Sequence, residues 1–553
     1  MSKHRTLIIG LDGATFSLID PWIRAGHLPT FSRLIQMGVH GPLNVWPNLN
    51  SAASWSSIVT GYNPGQHGVF NFGPVSLQGE EDWHPTTARD RHKDPFWRLL
   101  SAQGQEVGII NVPISYPADP VKGFMISGKD APHVQSPGFT HPPDLYHSLC
   151  LQGIDYIINI PNLLTEKEEN PDRMPKGLEK MIDGRTRTAL CLMKTHPWDV
   201  MMIVFAAIDR VQHFYWPHPQ ASMNDPGWEP ILKTYQKIDS SVKDMLALTD
   251  EQTTVLLVSD HGFGPLLQRK PCLNPFFARM GLLRFRQGKQ QLKGALLKNL
   301  LVYSRRFIPQ SVKRRLGRIF PQVHQQAVRE AQFSGIDWSQ TQVFTDLFGV
   351  QVYINLKGRQ PEGIVCPEEY DPLREQIVKL LLNLKDEKTG APVIKSVHRS
   401  NEFYHGPYAD RVGDLLIQWD YGSPGDSLYY QTKEGNEIRC RAEDFHLHRG
   451  WAGDHCPEAI FMAMGPHIKR GVTLRNTSLY DITPTVLYLQ GHPVPTDMEG
   501  KVLTEIFSED YFLQNPIKQN ELAEGPIESS SAYLDETEIR QIKNRLRDLK
   551  YIE

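Results

Sequence analysis

Six aspartate and histidine side chains stand beside apolar runs at spacings that suit the binding of metal ions. Asp209 and His213 are four residues apart, so in a helix both would point to one face. Asp260 and His261 are adjacent, and one further aspartate and one further histidine border other apolar runs. Each feature alone is commonly a helix cap or a surface histidine, but their joint occurrence indicates a site. The candidate ligands are Asp12, Asp209, His213, Asp260, His261 and His455.

This ligand set favours two divalent cations. Carboxylates and imidazoles without a thiolate are typical of zinc, with manganese or iron as substitutes. Two ions about 4 Å apart can stabilise the attacking and the leaving oxygen of an in-line displacement at phosphorus. One of the ions would also activate a hydroxyl nucleophile, so this chemistry requires a serine or a threonine at the site.

Residues 47–70, PNLNSAASWSSIVTGYNPGQHGVF, supply a cluster of hydroxyls where a helix is expected to begin. The free amides and the dipole of a helix N-terminus favour a bound phosphate and a developing alkoxide. Ser51 is the first hydroxyl after the turn-like PNLN, at the N-cap or in the first turn, and Ser54 follows one turn later. Ser56 and Ser57 are expected to be structural. The residues alone do not decide which serine is the nucleophile.

Three short apolar runs are expected to position these side chains: residues 6–13, 199–209 and 253–262. Each is almost continuously apolar, which is typical of a strand buried on both faces of a parallel sheet. Each run ends at or next to an aspartate, and ligands collect at the carboxyl ends of such strands. Residues 458–465 predict a further buried strand, and residues 481–491 predict a helix. The fold class is therefore α/β.

The length of 553 residues predicts a large core with insertions. We expect the core in residues 1–264 and 346–510, with 115–195 as a candidate insertion, and a basic helical cap in 265–345. Residues 511–553 are expected to be a polar tether followed by an amphipathic helix. That helix would bury one face, formed by Ile539, Ile542, Leu546 and Leu549.

Composition is that of an ordinary soluble protein, with a formal net charge of −3 and no CxxC pair among the six cysteines. The N-terminal apolar run is too short for a signal peptide, and no segment reaches about 20 apolar residues, so a cytoplasmic location is expected. Residues 265–329 carry no acidic side chain while Lys and Arg recur. This segment is either a solvated basic surface or a contact with an anionic surface. No aromatic interleaving indicates a specific nucleic acid.

In its motifs the chain resembles the alkaline phosphatase superfamily, specifically the branch of type I phosphodiesterases and nucleotide pyrophosphatases. That branch includes cytoplasmic predicted phosphohydrolases or phosphomutases of bacteria and archaea. The resemblance implies a three-layer fold with a mostly parallel central sheet, helices on both faces and inserted cap segments. It extends over most of the chain, through LIIGLDG, SIVTGYNPGQHG, AAIDRVQH, VSDHGFG, GDHCPEAIFMAMGP and DITPTVLYLQGHPVPTDMEGKVL.

The resemblance also implies roles for the candidate residues. In this branch the nucleophile lies nine residues before the threonine of a Thr-Gly pair, here Thr60, and this spacing selects Ser51. Ser54 stands where many members carry an asparagine that contacts the phosphoryl oxygens, and its hydroxyl would make a weaker contact. One ion would be held by Asp209, His213 and His455, and the other by Asp12, Asp260, His261 and Ser51.

We therefore expect a two-metal phosphohydrolase that acts on a small-molecule phosphate ester through a phosphoseryl intermediate on Ser51. A diester or a pyrophosphate is the expected substrate rather than a monoester. A phosphomutase acting on a phosphosugar or a phosphoglycerate is the alternative enzyme, because that branch shares the metals and the nucleophile. A non-catalytic protein that binds an anionic surface through residues 265–329 is the alternative from another class.

Overall fold

A computed structural model describes most of the chain, and every structural statement below concerns the residues that it describes. These are 4–73, 84–160, 173–218, 221–266, 269–271, 273–286, 335–346, 350–420, 428–431, 437–439, 445–447, 452–520 and 534–548.

A ten-stranded sheet forms the centre of the fold. Its first seven strands along the chain are β1 Arg5–Leu11, β2 Val39–Asn44, β3 Val107–Ile110, β4 Gly123–Ile126, β5 Thr140–His141, β6 Val200–Phe205 and β7 Thr253–Val258. Three further strands complete it: Glu458–Met464, Val472–Thr473 and Thr477–Ser478. Neighbours in the order β7-β1-β6-β3-β4 are parallel, whereas Glu458–Met464 runs antiparallel between β7 and β2.

The three apolar runs that end near aspartates are confirmed as the adjacent parallel strands β1, β6 and β7. In their register, Ile8 pairs with Leu256 and Ile9 pairs with Ile203. All three strands are buried throughout their apolar stretch. Because the strands are parallel and in adjacent positions, their carboxyl ends meet at one edge of the sheet. The aspartates that follow them are thereby brought together.

Helices cover both faces of the sheet, which confirms the three-layer α/β architecture. Side chains alternate along a strand, and accordingly Leu7 and Ile9 pack into one apolar layer while Ile8 packs into the other. The α-helices are Phe16–Arg24, Pro29–Met37, Ser51–Thr60, Pro64–His67, Phe96–Ala102, Leu145–Leu151, Arg173–Thr195, Ala207–Tyr215, Glu229–Leu246, Leu273–Arg279, Pro367–Leu382, Ile482–Leu489, Glu509–Gln514 and Glu536–Asp548. The expected strand at 458–465 and the expected helix at 481–491 are both present.

A second, four-stranded antiparallel sheet has an apolar core of its own, to which the helix Pro367–Leu382 contributes. It is formed by Val343–Thr345, Gln351–Ile354, Ile394–Arg399 and Leu415–Trp419. The remaining short strands are Gly262–Pro265, Arg269–Pro271, Lys385–Asp386, Leu428–Gln431, Glu437–Arg439, Phe445–Leu447, Gly453–Cys456, Val494–Pro495 and Gln519–Asn520. The division at 264, 345 and 510 stays a prediction; the small sheet extends across the boundary at 345.

The C-terminal helix Glu536–Asp548 is present and buries Ile542 and Leu546, as its sequence pattern predicts. The segment before it is not only a tether, because Glu509–Gln514 is helical. Most of the basic segment falls in residues 287–334, outside the described residues, so its contact with an anionic surface stays a prediction, as does the cytoplasmic location. Among the helices that the structure describes, none combines the length and the apolar character needed to cross a bilayer.

Candidate metal centre and nucleophile

Three buried aspartates meet at the carboxyl edge of the central sheet. Asp12 follows β1, Asp260 follows β7, and Asp209 lies in the first turn of the helix after β6. Gly13 makes this approach possible, because its φ of +74° lies in the left-handed region and a Cβ there would stand 3.2 Å from the Asp209 Cα. Its amide donates to the Asp260 carboxylate at 3.2 Å. The backbone thus holds the three carboxylates in one cluster.

The predicted Asp209, His213 and His455 group is assembled in the structure. The Asp209 Oδ1 lies 3.1 Å from the His213 Nε2 and 3.2 Å from the His455 Nε2. The two imidazole Nε2 atoms are themselves 3.0 Å apart. His455 reaches this point from Gly453–Cys456, a strand paired with the segment that follows His261.

The predicted Asp12, Asp260 and His261 group lies directly beside it. The His261 Nε2 stands 3.6 Å from the Asp12 Oδ1 and 3.4 Å from the Asp260 Oδ2, and it is 4.0 Å from the Asp209 Oδ1. Ligand atoms of Asp12, Asp260 and His261 lie within 4.8 Å of one another, as do those of Asp209, His261 and His455. His261 therefore stands between the two groups.

The hydrogen bonds of the three histidines fit metal binding. In each ring the Nδ1 faces a backbone carbonyl, which can only accept: Gly453 for His213 at 3.0 Å, Gly262 for His261 at 3.0 Å, and Leu49 for His455 at 2.7 Å. Nδ1 must then carry a proton, and Nε2 is the nitrogen that faces the cluster. A histidine that ligates a metal is usually held by such a bond from its other nitrogen.

The carboxylates of the cluster also fit metal binding. Asp12 Oδ1 and Asp260 Oδ2 are buried and accept no hydrogen bond from any described residue. Buried carboxylate oxygens of this kind are costly unless a cation compensates them. The Nε2 atoms and the unbonded carboxylate oxygens together form a set of ligand atoms that suits a divalent cation.

Burial and mutual charge shift the pKa values of the cluster in opposite directions. Burial alone would raise the pKa of Asp209, but His213 and His455 hold it well below the usual range. Burial raises the pKa of Asp260, and the neighbouring Asp12 carboxylate raises it further. Burial and the adjacent His455 lower the pKa of His261, which keeps that imidazole neutral and able to act as a ligand.

The predicted nucleophile begins the helix Ser51–Thr60. Asn50 is the N-cap, and its side chain accepts from the Ala52 amide at 2.9 Å. Ser51 is therefore the first helical residue, and its Oγ lies 3.2 Å from the His261 Nε2. Since the His261 proton is on Nδ1, the serine hydroxyl donates to Nε2. The position of Ser51 in the first turn and its place beside the carboxylate–imidazole cluster are consistent with a nucleophile.

Ser54 is placed differently from its expected phosphate contact. It is fully buried, and its hydroxyl donates to the backbone carbonyls of Asn48 and Asn50. Asn48 is in turn held by Tyr404 and Tyr480 through hydrogen bonds of 2.8 Å each. The Ser54 proton is thus engaged in shaping the turn before the nucleophile. Its phosphate contact stays a prediction, which this geometry does not favour.

Comparison with known proteins assigns the family. Residues 6–451 match the family model described as type I phosphodiesterase / nucleotide pyrophosphatase. The chain belongs to the type I phosphodiesterase / nucleotide pyrophosphatase family. This confirms the resemblance drawn from the sequence motifs, and as a member the chain is a hydrolase of phosphate esters. A search of curated proteins finds no match.

Solved structures of one relative of this phosphodiesterase family are remotely similar. The human ectonucleotide pyrophosphatase / phosphodiesterase 5 matches at 12% identity with a TM-score of 0.48, covering 91% of this chain and 100% of the other. An inactive variant of the murine protein, in complex with AMP, matches at 12% identity with a TM-score of 0.49, covering 92% and 100%. The assignment of this chain rests on the family model.

For this phosphodiesterase, the structure brings together the predicted nucleophile and all six predicted ligands. Sequence reasoning missed the buried cations close to them, among which are Lys129 and Arg185. Lys129 is 2% exposed with its Nζ 3.5 Å from the Asp12 Oδ2, and Arg185 is fully buried within the electrostatic influence of the same aspartate. Lys129 follows a buried strand, as the aspartates do, and this position in the sequence could have identified it. Arg185 lies within a long helix whose pattern shows no such signal.

Proposed function

We propose that this phosphodiesterase hydrolyses phosphate diesters or pyrophosphates with two divalent cations and a phosphoseryl intermediate on Ser51. The observation that carries the proposal is the contact of 3.2 Å between the Ser51 Oγ and the His261 Nε2, at the edge of a cluster of three carboxylates and three imidazoles. A small-molecule phosphate ester is the proposed partner. Zinc is the favoured ion because the donors are imidazole and carboxylate, and manganese or iron would be substitutes.

A different group of residues would hold each of the two ions. Asp12, Asp260 and His261 would hold one ion, and Asp209, His213 and His455 would hold the other. Divalent cations in these positions supply positive charge that lowers the pKa of a bound hydroxyl and neutralises oxygens at phosphorus. The Asn50 cap positions Ser51 at the start of the helix, where the amides of the first turn that remain free would bind the phosphoryl group.

Two chemical steps follow from this placement. The Ser51 Oγ attacks phosphorus in line and the alcohol or phosphate on the opposite side leaves, which forms the phosphoseryl group. Water then attacks the same phosphorus from the vacated side and restores the serine. The carbonyls of Gly453, Gly262 and Leu49 keep the three imidazoles in one tautomer throughout.

The test replaces the proposed nucleophile in protein loaded with zinc or manganese. We expect Ser51→Ala to lower the kcat for bis-p-nitrophenyl phosphate at least about 10³-fold, because loss of a covalent nucleophile removes the main route. Ser56→Ala is the matched control, since Ser56 is a buried serine of the same helix whose hydroxyl has no hydrogen bond to any described residue. Elemental analysis should find two ions per chain in all three proteins. Undiminished turnover by Ser51→Ala would refute the assignment of the nucleophile.

The fate of the phosphoryl group distinguishes the proposed hydrolase from a phosphomutase. A hydrolase releases inorganic phosphate in proportion to the alcohol formed, whereas a mutase returns the phosphoryl group to a second hydroxyl. Supplying a phosphosugar or a phosphoglycerate and measuring free phosphate distinguishes the two. Transfer without release of phosphate would replace the proposed hydrolysis by phosphomutase activity.

A further inference from the structure

The carboxyl edge of the sheet continues beyond the metal cluster into a region rich in buried cations. The cluster lies at the ends of β7, β1 and β6, and β3 and β4 come next in the sheet. Asn111 directly follows β3, and Lys129 follows β4 after two residues. Because all five strands are parallel, these two side chains belong to the same edge as the aspartates.

Lys129 points into the metal cluster. Its Nζ lies 3.5 Å from the Asp12 Oδ2 and 4.8 Å from the centre of the Phe72 ring. The loop that carries it is firmly held: the Gly128 amide donates to the Ser115 Oγ at 2.9 Å, and the Arg545 guanidinium donates to the Lys129 carbonyl at 3.0 Å. Such anchoring places a desolvated ammonium group beside the reacting centre.

Arg185 is a second buried cation, on the same face of the sheet. It is fully buried, and its Nη2 donates to the Asn111 Oδ1 at 3.3 Å and to the Ile158 carbonyl at 3.0 Å. Its Nε and Nη1 have no hydrogen-bond partner, and no carboxylate forms an ion pair with it, in the part of the chain that the structure describes. A buried guanidinium left in this condition is unfavourable unless an anion compensates it.

Further buried polar atoms without a hydrogen-bond partner belong to Tyr156, which lies near this guanidinium, and to Asn159, which follows in sequence. The Tyr156 hydroxyl is buried and has no hydrogen-bond partner among the described residues, and the Tyr156 ring centre lies 6.0 Å from the Arg185 Cζ. The Asn159 Oδ1, one residue after the carbonyl that Arg185 binds, is also buried and unbonded there. The Arg185 Nε and Nη1 therefore lack an acceptor among the described residues, and the Tyr156 hydroxyl lies close enough to raise the pKa of the guanidinium.

The electrostatic influence of the metal cluster reaches this group. Burial lowers the pKa of Arg185, whereas the neighbouring Tyr156 and then Asp12 raise it. The adjacent acid, Asp130, is turned away, because its carboxylate accepts from the Ile114 and Tyr116 amides at 3.0 and 2.7 Å. On this side of Asp12, positive charge therefore faces the site.

We propose that Lys129 and Arg185 form an anion subsite beside the metal centre, which binds a second negatively charged group of the substrate. The subsite takes a phosphate or a carboxylate through the Arg185 donors, with the Tyr156 hydroxyl as a further donor and with the Lys129 ammonium beside Asp12. This inference rests on the proposed function, and it narrows the substrate class to phosphate esters that carry a second anionic group.

The experiment compares two inhibitors of bis-p-nitrophenyl phosphate hydrolysis that share one phosphonate. Phosphonoacetate also carries a carboxylate, and propylphosphonate carries an uncharged chain instead. We expect the wild-type protein to bind phosphonoacetate at least about tenfold more tightly, as one charge-assisted hydrogen bond allows. The preference should fall to about threefold or less in Arg185→Met and in Lys129→Met. Calorimetric titration of Ser51→Ala protein should give the same preference without any turnover.

Controls separate folding from recognition. Arg374→Met removes a buried arginine from the helix Pro367–Leu382 that packs on the small sheet, where it pairs with Asp371, and should keep the wild-type preference. If Arg185→Met fails to fold, Tyr156→Phe removes only the hydroxyl and should lower the preference at least about twofold. A carboxylate that bound only the metal ions would keep its advantage in all variants, and that result would overturn the subsite.

The two proposals fail in different ways. Absence of any bis-p-nitrophenyl phosphate turnover by the metal-loaded wild type would contradict the proposed function, whatever the inhibitors do. Turnover that depends on Ser51, together with equal binding of the two phosphonates by the wild type, would contradict the subsite alone. The buried polar atoms around Arg185 would then have a structural role only.

Discussion

Ser51 and Ser54 lie one helical turn apart, yet the structure places their hydroxyls in different surroundings. The Ser51 Oγ faces the His261 imidazole, whereas the Ser54 Oγ is bonded to carbonyls of the preceding turn. We expect Ser54→Ala to leave kcat/KM within about threefold and to reduce the free energy of unfolding by about 1 kcal/mol, the usual value of one buried hydrogen bond. Steady-state kinetics and urea denaturation measure the two effects.

A direct contact between Ser54 and the substrate would give a different result. If Ser54 contacted the phosphoryl oxygens, its loss would raise KM or lower kcat at least about tenfold while the stability changed little. Ser56→Ala provides the comparison within the same helix, since it removes a buried hydroxyl that has no described hydrogen-bond partner.

At the scale of single residues, the sequence identifies the candidate metal ligands better than it identifies the side chains around them. Asp12, Asp209 and Asp260 each follow a continuous apolar run, so their convergence follows from parallel strands alone. Arg185 could not be found in this way, because its approach to Asn111 depends on how a helix of 23 residues packs across the sheet. A local pattern does not encode such a contact.

The nucleophile helix Ser51–Thr60 is supported from behind by His67. The Val69 amide donates to the His67 Nδ1 at 3.1 Å, so the ring proton is on Nε2 and is donated to the Ser57 Oγ at 2.9 Å. Burial, followed by the charge of Arg91, lowers the pKa of His67 from 6.5 to about 3. The folded protein therefore binds the proton less readily than the unfolded chain does.

This lowered pKa makes the stability of the folded protein depend on pH. Because the folded-state pKa lies below the unfolded value, the stabilisation is complete above about pH 6.5 and is lost as the pH falls towards 3. We expect the excess stability of the wild type over His67→Gln to shrink by about 1.4 kcal/mol per pH unit below pH 6.5. Urea denaturation of both chelator-treated proteins at pH 7, 5.5 and 4.5 measures it. A difference that stayed constant with pH would show that the folded and the unfolded chain bind a proton on His67 equally well.

The C-terminal helix Glu536–Asp548 acts on the site through the loop of Lys129. Arg545 donates to the carbonyls of Lys129, Ala131 and Pro132, and Ile542 and Leu546 fix the helix in the apolar layer. We expect Arg545→Ala to lower kcat/KM by about three- to tenfold with metal content unchanged, because the loop loses the donors that order it. Steady-state kinetics with elemental analysis measures this.

The exposed Arg540 of the same helix provides the control for Arg545. Arg540→Ala removes an equal charge and should leave kcat/KM unchanged. An equal loss in both variants would attribute the effect to the net charge of the helix, and no loss in either would show that the loop keeps its position without Arg545.

At the scale of the whole molecule, the sequence predicts the strands β1, β6, β7 and Glu458–Met464 of the large sheet and leaves β3, β4 and the small antiparallel sheet unpredicted. The strands β1, β6 and β7 are buried on both faces and read as continuous apolar runs. The strand Ile394–Arg399 is only partly buried and mostly polar, so its pairing with Leu415–Trp419 is decided by long-range contacts. Its direction and partners could not be read from its own residues.

The two sheets have separate apolar cores, and only the large one carries the metal cluster. Asp12, Asp209 and Asp260 are buried together, so removing divalent cations increases the repulsion among them and destabilises that part of the protein. Metal binding to the native state alone contributes about 4 kcal/mol at a thousandfold excess over Kd. We expect chelation to lower the calorimetric Tm of the large-sheet transition by at least about 5 °C and to leave the small-sheet transition in place.

Two aspartate variants test whether the response to a chelator comes from the metal cluster. Asp209→Asn should unfold at the temperature of the chelated wild type and respond little to a chelator, whereas Asp20→Asn, which changes an exposed aspartate, should respond like the wild type. A chelator that shifted both transitions equally would mean that the two cores unfold as one cooperative unit. The contact between Tyr404 and Asn48, which joins the small sheet to the turn before Ser51, would then couple the stability of that sheet to the metal centre.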